Sequence, residues 1–147
     1  MKRMPEVTIT QEVSDFMEKH AEETYNNECC GFLYGHENDA RKITLAQRVE
    51  NTKDGDKRRR FKIDPDDYRK AELFAVQNNL DLLGVYHSHP DHPARPSEHD
   101  RKQAVPFFSY IILSVMSGKT AAITSWQLND DHQFEEEEIK TLQTKSL

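Results

Sequence analysis

Apolar residues fall into short blocks whose period switches between two and about 3.6 residues, the pattern of strands interleaved with helices. Val7 to Ile9 reads as a short strand, and Thr10 caps a helix that carries Val13, Phe16, Met17 and Ala21 on one face. Residues 30–34 and 43–49 are two apolar runs with polar turn residues between them, which predicts a hairpin. Residues 51–60 form a charged loop ending in Lys57-Arg58-Arg59-Arg60, and 61–63 is brief strand or extended chain. Asp64-Pro65-Asp66-Asp67 starts a second helix, with Asp64 as N-cap and Pro65 at the first helical position. That helix presents Tyr68, Ala71, Phe74 and Ala75 and ends near Asn78-Asn79. Residues 82–89 are apolar on both alternating faces, as expected of a central strand. A loop rich in Pro and His follows, then Ser97 opens a short helix. Residues 109–115 and 121–128 are further strands, separated by Ser117-Gly118-Lys119. The acid run 135–138 reads as a solvated helix or strand edge, and the last eight or so residues as frayed. The expected class is α/β, a mixed β-sheet of about six strands flanked by helices.

Composition narrows this picture. The chain has 147 residues, enough for one hydrophobic core and too few for two, so 1–147 is read as a single domain. Hydrophobic residues make up 35% and charged residues 31%, so the core must be economical. With 20 Lys and Arg against 26 Asp and Glu the net charge is −6, which argues against a global preference for nucleic acid or an anionic membrane. No run approaches the roughly 18 apolar residues that span a bilayer. The opening MKRMPEVTIT has no apolar stretch after its positive cluster, so a cytoplasmic address is expected. Cys29 and Cys30 are adjacent and staple nothing distant; they read as reduced, strand-packed residues.

Chemistry gathers at the end of the best strand. In His87-Ser88-His89-Pro90 the two histidines are two residues apart, so their imidazoles share a face while Ser88 points away. Eleven residues past His89, in the first turn of the helix that Ser97 opens, lies Asp100. Two His and one carboxylate leave a tetrahedral position open, the ligand count of a catalytic rather than a structural zinc site. Such a site also needs a base, and periodicity cannot choose one among so many acids.

Glu28 ahead of Cys30-Gly31, His87-Ser88-His89-Pro90, a seven-residue gap, and Ser97-Glu98-His99-Asp100 together resemble the JAMM (MPN+) metalloprotease motif. Residues 61–65 also resemble the Phe-x-x-Asp-Pro stretch of its short prokaryotic members. The resemblance spans about 28–100. It implies a curved mixed sheet with helices around it, a cytidine deaminase-like architecture. It further implies one Zn2+ per chain on His87, His89 and Asp100, Glu28 as the base that activates water, and Ser97 as a donor to the oxyanion. The activity implied is hydrolysis after the C-terminal Gly-Gly of a ubiquitin-like protein. The chain's size leans the substrate towards a β-grasp sulfur carrier or small modifier.

Other readings remain beside it. Ser97-x-x-Asp100 is also a capping box. His92 and His99 lie inside the metal loop but are not expected to be ligands. The basic run is a solvated loop first and a steering device for an acidic partner second. The rivals to the protease are a zinc hydrolase acting on an amine- or cysteine-conjugated metabolite and a non-catalytic scaffold. A DNA-repair branch of the family is disfavoured by Ser88 and the loop 91–95. The oligomeric state is left open.

Overall fold

In the computed structural model, which describes residues 4–143, the strands are β1 (Glu6–Thr10), β2 (Cys30–Glu37), β3 (Arg41–Val49), β4 (Asp81–Pro90), β5 (Ser109–Met116), β6 (Lys119–Leu128) and β7 (Phe134–Leu142). The helices are α1 (Gln11–Thr24), α2 (Pro65–Gln77) and α3 (Glu98–Gln103). Each begins at its expected cap. Thr10 accepts from the Val13 N–H, Asp64 from Asp66 and Ser97 from Asp100, which gives amides at each helix start a partner. Residues 61–63 form no strand; Phe61 and Ile63 are buried and pack beneath α2.

The sheet departs from the expected architecture. It has seven strands rather than about six, in the order β1-β3-β2-β4-β5-β6-β7, and β1 pairs with β7 so that the sheet closes into a barrel. The expected curved sheet is therefore corrected to a closed barrel. The acid run is the reason the sequence hid this. It is β7, neither a helix nor an edge, because it pairs antiparallel with β6 and parallel with β1. Only Glu137 of that run faces inward, so its composition resembles a solvated segment. Part of the tail read as frayed belongs to β7, which continues to Leu142; residues 144–147 lie outside the described residues.

Two cores lie on the two faces of the sheet. α1 packs against β1, β3, β4, β5, β6 and β7, and its Val13, Met17 and Ala21 meet Leu33, Ile43, Ile111 and Leu113. α2 covers the other face over Phe32, Tyr34, Val85 and Tyr110. Tyr86 fits against the first core only because position 31 is glycine. A Cβ there would stand 2.2 Å from the Tyr86 ring and 2.3 Å from the Gln47 carbonyl oxygen. Among the described residues, no helix is long and apolar enough to cross a membrane.

Candidate metal centre

β4 lies between β2 and β5, and the register of these pairs assembles the site. Cys30 stands opposite His87 on the antiparallel β2, and the ladder continues as the Ser88 N–H donates to the Cys29 carbonyl. Counting two residues back from Cys30, ahead of β2, puts Glu28 beside His89, on the face shared by both imidazoles. Ser88 faces the other way and accepts from the Cys29 N–H at 2.8 Å. The long loop then returns the chain so that α3 brings Asp100 over the strand end.

The result is a tight triangle of donor atoms. His87 Nε2 and His89 Nε2 are 3.1 Å apart, and Asp100 Oδ2 lies 3.2 Å from the first and 3.3 Å from the second. A tetrahedral ion with ligands at about 2.0–2.1 Å has donor–donor edges of about 3.3 Å, so these atoms fit a zinc-sized cation. Proton counting agrees. His89 Nδ1 is 2.9 Å from the Pro93 carbonyl oxygen, which can only accept, so Nδ1 carries a proton and Nε2, the atom in the triangle, is the nitrogen left to ligate. Burial lowers the pKa of His87 despite the nearby Asp100 charge, so that ring is neutral and offers at most one proton to its neighbours. Three basic atoms thus converge on a space short of positive charge.

The carboxyls differ from each other. Burial opposes ionisation of Asp100, but its place against His87 and His89 and the hydrogen bond that the Ser97 N–H donates at 2.8 Å outweigh it and hold its pKa well below the carboxylate range. The same contacts complete the capping box, since the Asp100 N–H donates to Ser97 Oγ at 3.0 Å. Glu28 is pushed up to about 9, first by burial and then by the Asp100 charge, and its Oε1 is buried without a partner. Glu28 and the two histidines each place a donor atom within 4.8 Å of the others, so a second donor set, with Glu28 in place of Asp100, shares the same imidazoles. Asp100 stands closer to both rings and is the carboxylate held ionised, which favours it as the ligand.

Several supporting groups escaped the sequence reading. Phe61 stacks on His87 with centroids 4.4 Å apart, on a ring whose Nδ1 has no partner. The metal loop is gripped from β5 and β6. Ser114 Oγ donates to the His92 carbonyl at 2.5 Å and Thr124 Oγ1 to the Ala94 carbonyl at 2.6 Å, one on each side of the Pro93 carbonyl that orients His89. The parallel register, with His89 opposite Ser114, could have exposed this; the motif could not. His92 lines the adjoining cleft, whereas His99 turns back towards the Phe61 carbonyl at 3.4 Å. The cleft holds about 480 Å³ and is lined by Glu28, Arg59, His89, His92, Pro93, Arg95 and Ser97. Cys29 and Cys30 are free and buried, and burial pushes both thiols up, Cys29 to about 11, which suits packing rather than nucleophilic attack.

A mixed α/β fold with two histidines, an ionised aspartate and a buried glutamate at the end of a central strand defines a candidate metal-dependent enzyme class. Residues 10–129 match the family described as prokaryotic homologs of the JAB domain, and the chain belongs to that family. Two relatives are named desampylase. One, from Pyrococcus furiosus, is 37% identical over 73 residues, 50% of this chain and 49% of that protein, so the chain spans about half of that relative's length. The other, from Haloferax volcanii, is 36% identical over 96 residues, 64% of this chain and 67% of that protein. Among solved structures, a protein from Desulfitobacterium hafniense superposes with a TM-score of 0.82 at 31% identity, covering 94% of both chains. One from Salinibacter ruber gives 0.71 at 39%, covering 92% of this chain and 91% of that one. A JAB1/MPN domain protein from Archaeoglobus fulgidus shares the fold, with a TM-score of 0.59 at 16% identity over 97% of this chain and 99% of that one.

Proposed function

We propose that this protein is a zinc-dependent protease or isopeptidase that hydrolyses the bond after the C-terminal Gly-Gly of a ubiquitin-like or β-grasp carrier protein. The observation that carries the reading is the triangle of His87, His89 and Asp100 atoms beside a buried, unpartnered Glu28 at one wall of a cleft. The name desampylase on two relatives supports the substrate class.

His87, His89 and Asp100 would hold the ion, which when bound supplies Lewis acidity to a carbonyl and acidifies water. Pro93 keeps His89 in the tautomer that ligation needs. With a cation beside it to offset its burial and the Asp100 charge, Glu28 would be ionised; it then takes the proton of the attacking water and passes it to the departing amine, as the C–O bond to the glycine carbonyl forms and the C–N bond breaks. Ser97 accepts from the Asp100 N–H, so its own hydroxyl proton is free to donate to the substrate oxygen in the cleft that it lines. A Gly-Gly tail has no side chains to clash with the walls of such a cleft.

The test is cleavage of a panel of small β-grasp proteins extended past Gly-Gly, read as intact mass with native protein, Glu28→Ala, and a chelated sample restored with zinc. A cut directly after Gly-Gly that needs both zinc and Glu28 is the expected result. No cut with zinc bound stoichiometrically would move the reading to a hydrolase of conjugated metabolites. No cut and no bound metal would leave a scaffold.

A further inference from the structure

The lining of the cleft carries more positive charge than the chain as a whole. The protein is acidic, at −6, yet the residues that line the cleft include two arginines, Arg59 and Arg95, against one carboxylic acid, Glu28. Both arginines leave from backbone that is tied to the functional residues. Arg95 follows Ala94, whose carbonyl is held by Thr124, and its own N–H donates to the Pro93 carbonyl that also orients His89. Arg59 sits on the loop whose Lys57 carbonyl accepts from the Glu28 N–H at 2.6 Å. Asn51 binds this loop again, donating from one amide nitrogen to the Glu28 and Arg60 carbonyls. Two separate loops, one fastened to the candidate base and one to a candidate ligand, therefore each bring an arginine to the lining of the same cleft.

Among the described residues Arg95 has no ion-pair partner, and the one that Arg59 has is loose and shared. Asp56 is 4.0 Å from Arg59 Nε, but the same carboxylate lies 3.2 Å from Arg58, so one acid serves two arginines. A pair of guanidiniums in a concave site is suited to a carboxylate, which each can bind through two parallel N–H donors.

We propose that Arg59 and Arg95 form a carboxylate subsite for the leaving group, so that the preferred substrate carries a carboxylate within one residue of the bond that is cut. This rests on the reading of the site as a Gly-Gly hydrolase. The departing amine must lie near Glu28 to receive its proton, and Arg59 and Arg95 share that cleft. A single amino acid after Gly-Gly places its α-carboxylate two bonds from that nitrogen. A lysine joined through its side chain places none there. The structure thus favours trimming of a short carboxylate-bearing extension over removal of a modifier from a lysine.

The experiment uses one β-grasp protein that the enzyme cuts, prepared by ligation in four forms. These end in Gly-Gly-Ala as the free acid, Gly-Gly-Ala amide, Gly-Gly-Glu amide, and Gly-Gly joined to the ε-amine of a lysine amide. Zinc-loaded protein should cut the free acid about ten- to a hundredfold faster in kcat/KM than the Ala amide or the isopeptide, the size of a charge-assisted contact. Arg59→Gln with Arg95→Gln should bring the acid-to-amide ratio towards one, and Arg95→Lys should restore part of it. Rescue by Gly-Gly-Glu amide would assign the subsite to a side-chain carboxylate rather than the terminal one, still within the proposal. Equal cutting of acid and amide by a Glu28-dependent enzyme overturns the subsite and leaves the hydrolase standing. Cutting of no Gly-Gly protein, acid or amide, sinks the hydrolase reading and the subsite with it.

Discussion

Two buried polar clusters sit on the same part of the barrel and obey opposite rules. Near the start of β4 and β5, Glu137 accepts from Ser109 and Ser125 at 2.8 Å and from Gln127 at 2.5 Å, while Arg41 donates to Ser109, to the Leu83 carbonyl and to Glu37. Its donors and acceptors are matched. A few residues further along β4, the other cluster points three basic atoms at one another and leaves Glu28 Oε1 and His87 Nδ1 without partners. A matched cluster joins strands; here it ties β3, β5, β6 and β7 together close to where the sheet closes. An unmatched one is costly to bury and persists where something else supplies the missing partner.

Breaking each cluster should have different consequences. The largest effect is expected from Glu28→Ala, which should slow cleavage about 10²–10⁴-fold with zinc still bound, as read by intact mass and metal analysis. Asp100→Asn should lose both cleavage and zinc. Zinc lost from Glu28→Ala but kept by Asp100→Asn would instead put Glu28 in the ligand set. Glu137→Ala strands the donors of Ser125, Gln127 and Ser109, and should cost about 2–4 kcal/mol in denaturant unfolding with zinc affinity of the folded protein unchanged.

The open cluster should also be a burden in metal-free protein. Glu28 titrates near 9 when folded against an ordinary 4.5, so the unfolded chain gives up the proton first. Stability of the apo form should therefore fall as pH rises from about 4.5 to about 9. Apo Glu28→Gln should exceed the native protein by about 1–3 kcal/mol at pH 8.5, with the gap closing towards pH 5 in parallel denaturation curves. Smaller again is the loss of the loop clamp. Ser114→Ala with Thr124→Val should weaken zinc about tenfold in a chelator competition, more than it shifts the melting temperature.

The smallest effect belongs to a matched pair on the far side of β4. His20 Nδ1 lies 2.7 Å from the Tyr86 hydroxyl, and burial, helped by Arg48, lowers its pKa to about 4. The unfolded chain then takes up the proton first, so this contribution is present above about 6.5 and fades as the pH falls towards 4. His20→Gln should flatten that limb of the stability profile and leave cleavage at neutral pH alone.

What could be read from the sequence was local. The helix starts at Thr10, Asp64 and Ser97, the apolar strands and the shared face of His87 and His89 each depend on residues within a few positions of one another, where backbone geometry alone decides. The pairing of Ser97 with Asp100 is equally local, because a capping box is closed within one turn. Glu28 was legible only through the motif it resembles; by itself it is one acid among 26.

The tertiary structure decided everything that depends on register. The match of Cys30 with His87 makes Glu28 a neighbour of His89 across 61 positions of chain, and the match of His89 with Ser114 places the clamp on the metal loop. Closure of the barrel turned on β7, a strand of acids that reads as solvated until its two neighbours are known. The Phe61 ring, the Pro93 carbonyl and the two arginines belong to the same category. Local patterns state which face of an element is apolar, but hydrogen bonds between strands are made with partners tens of residues away. Only the folded pairing chooses among those partners, and in this protein that choice sets which groups meet at the candidate metal centre.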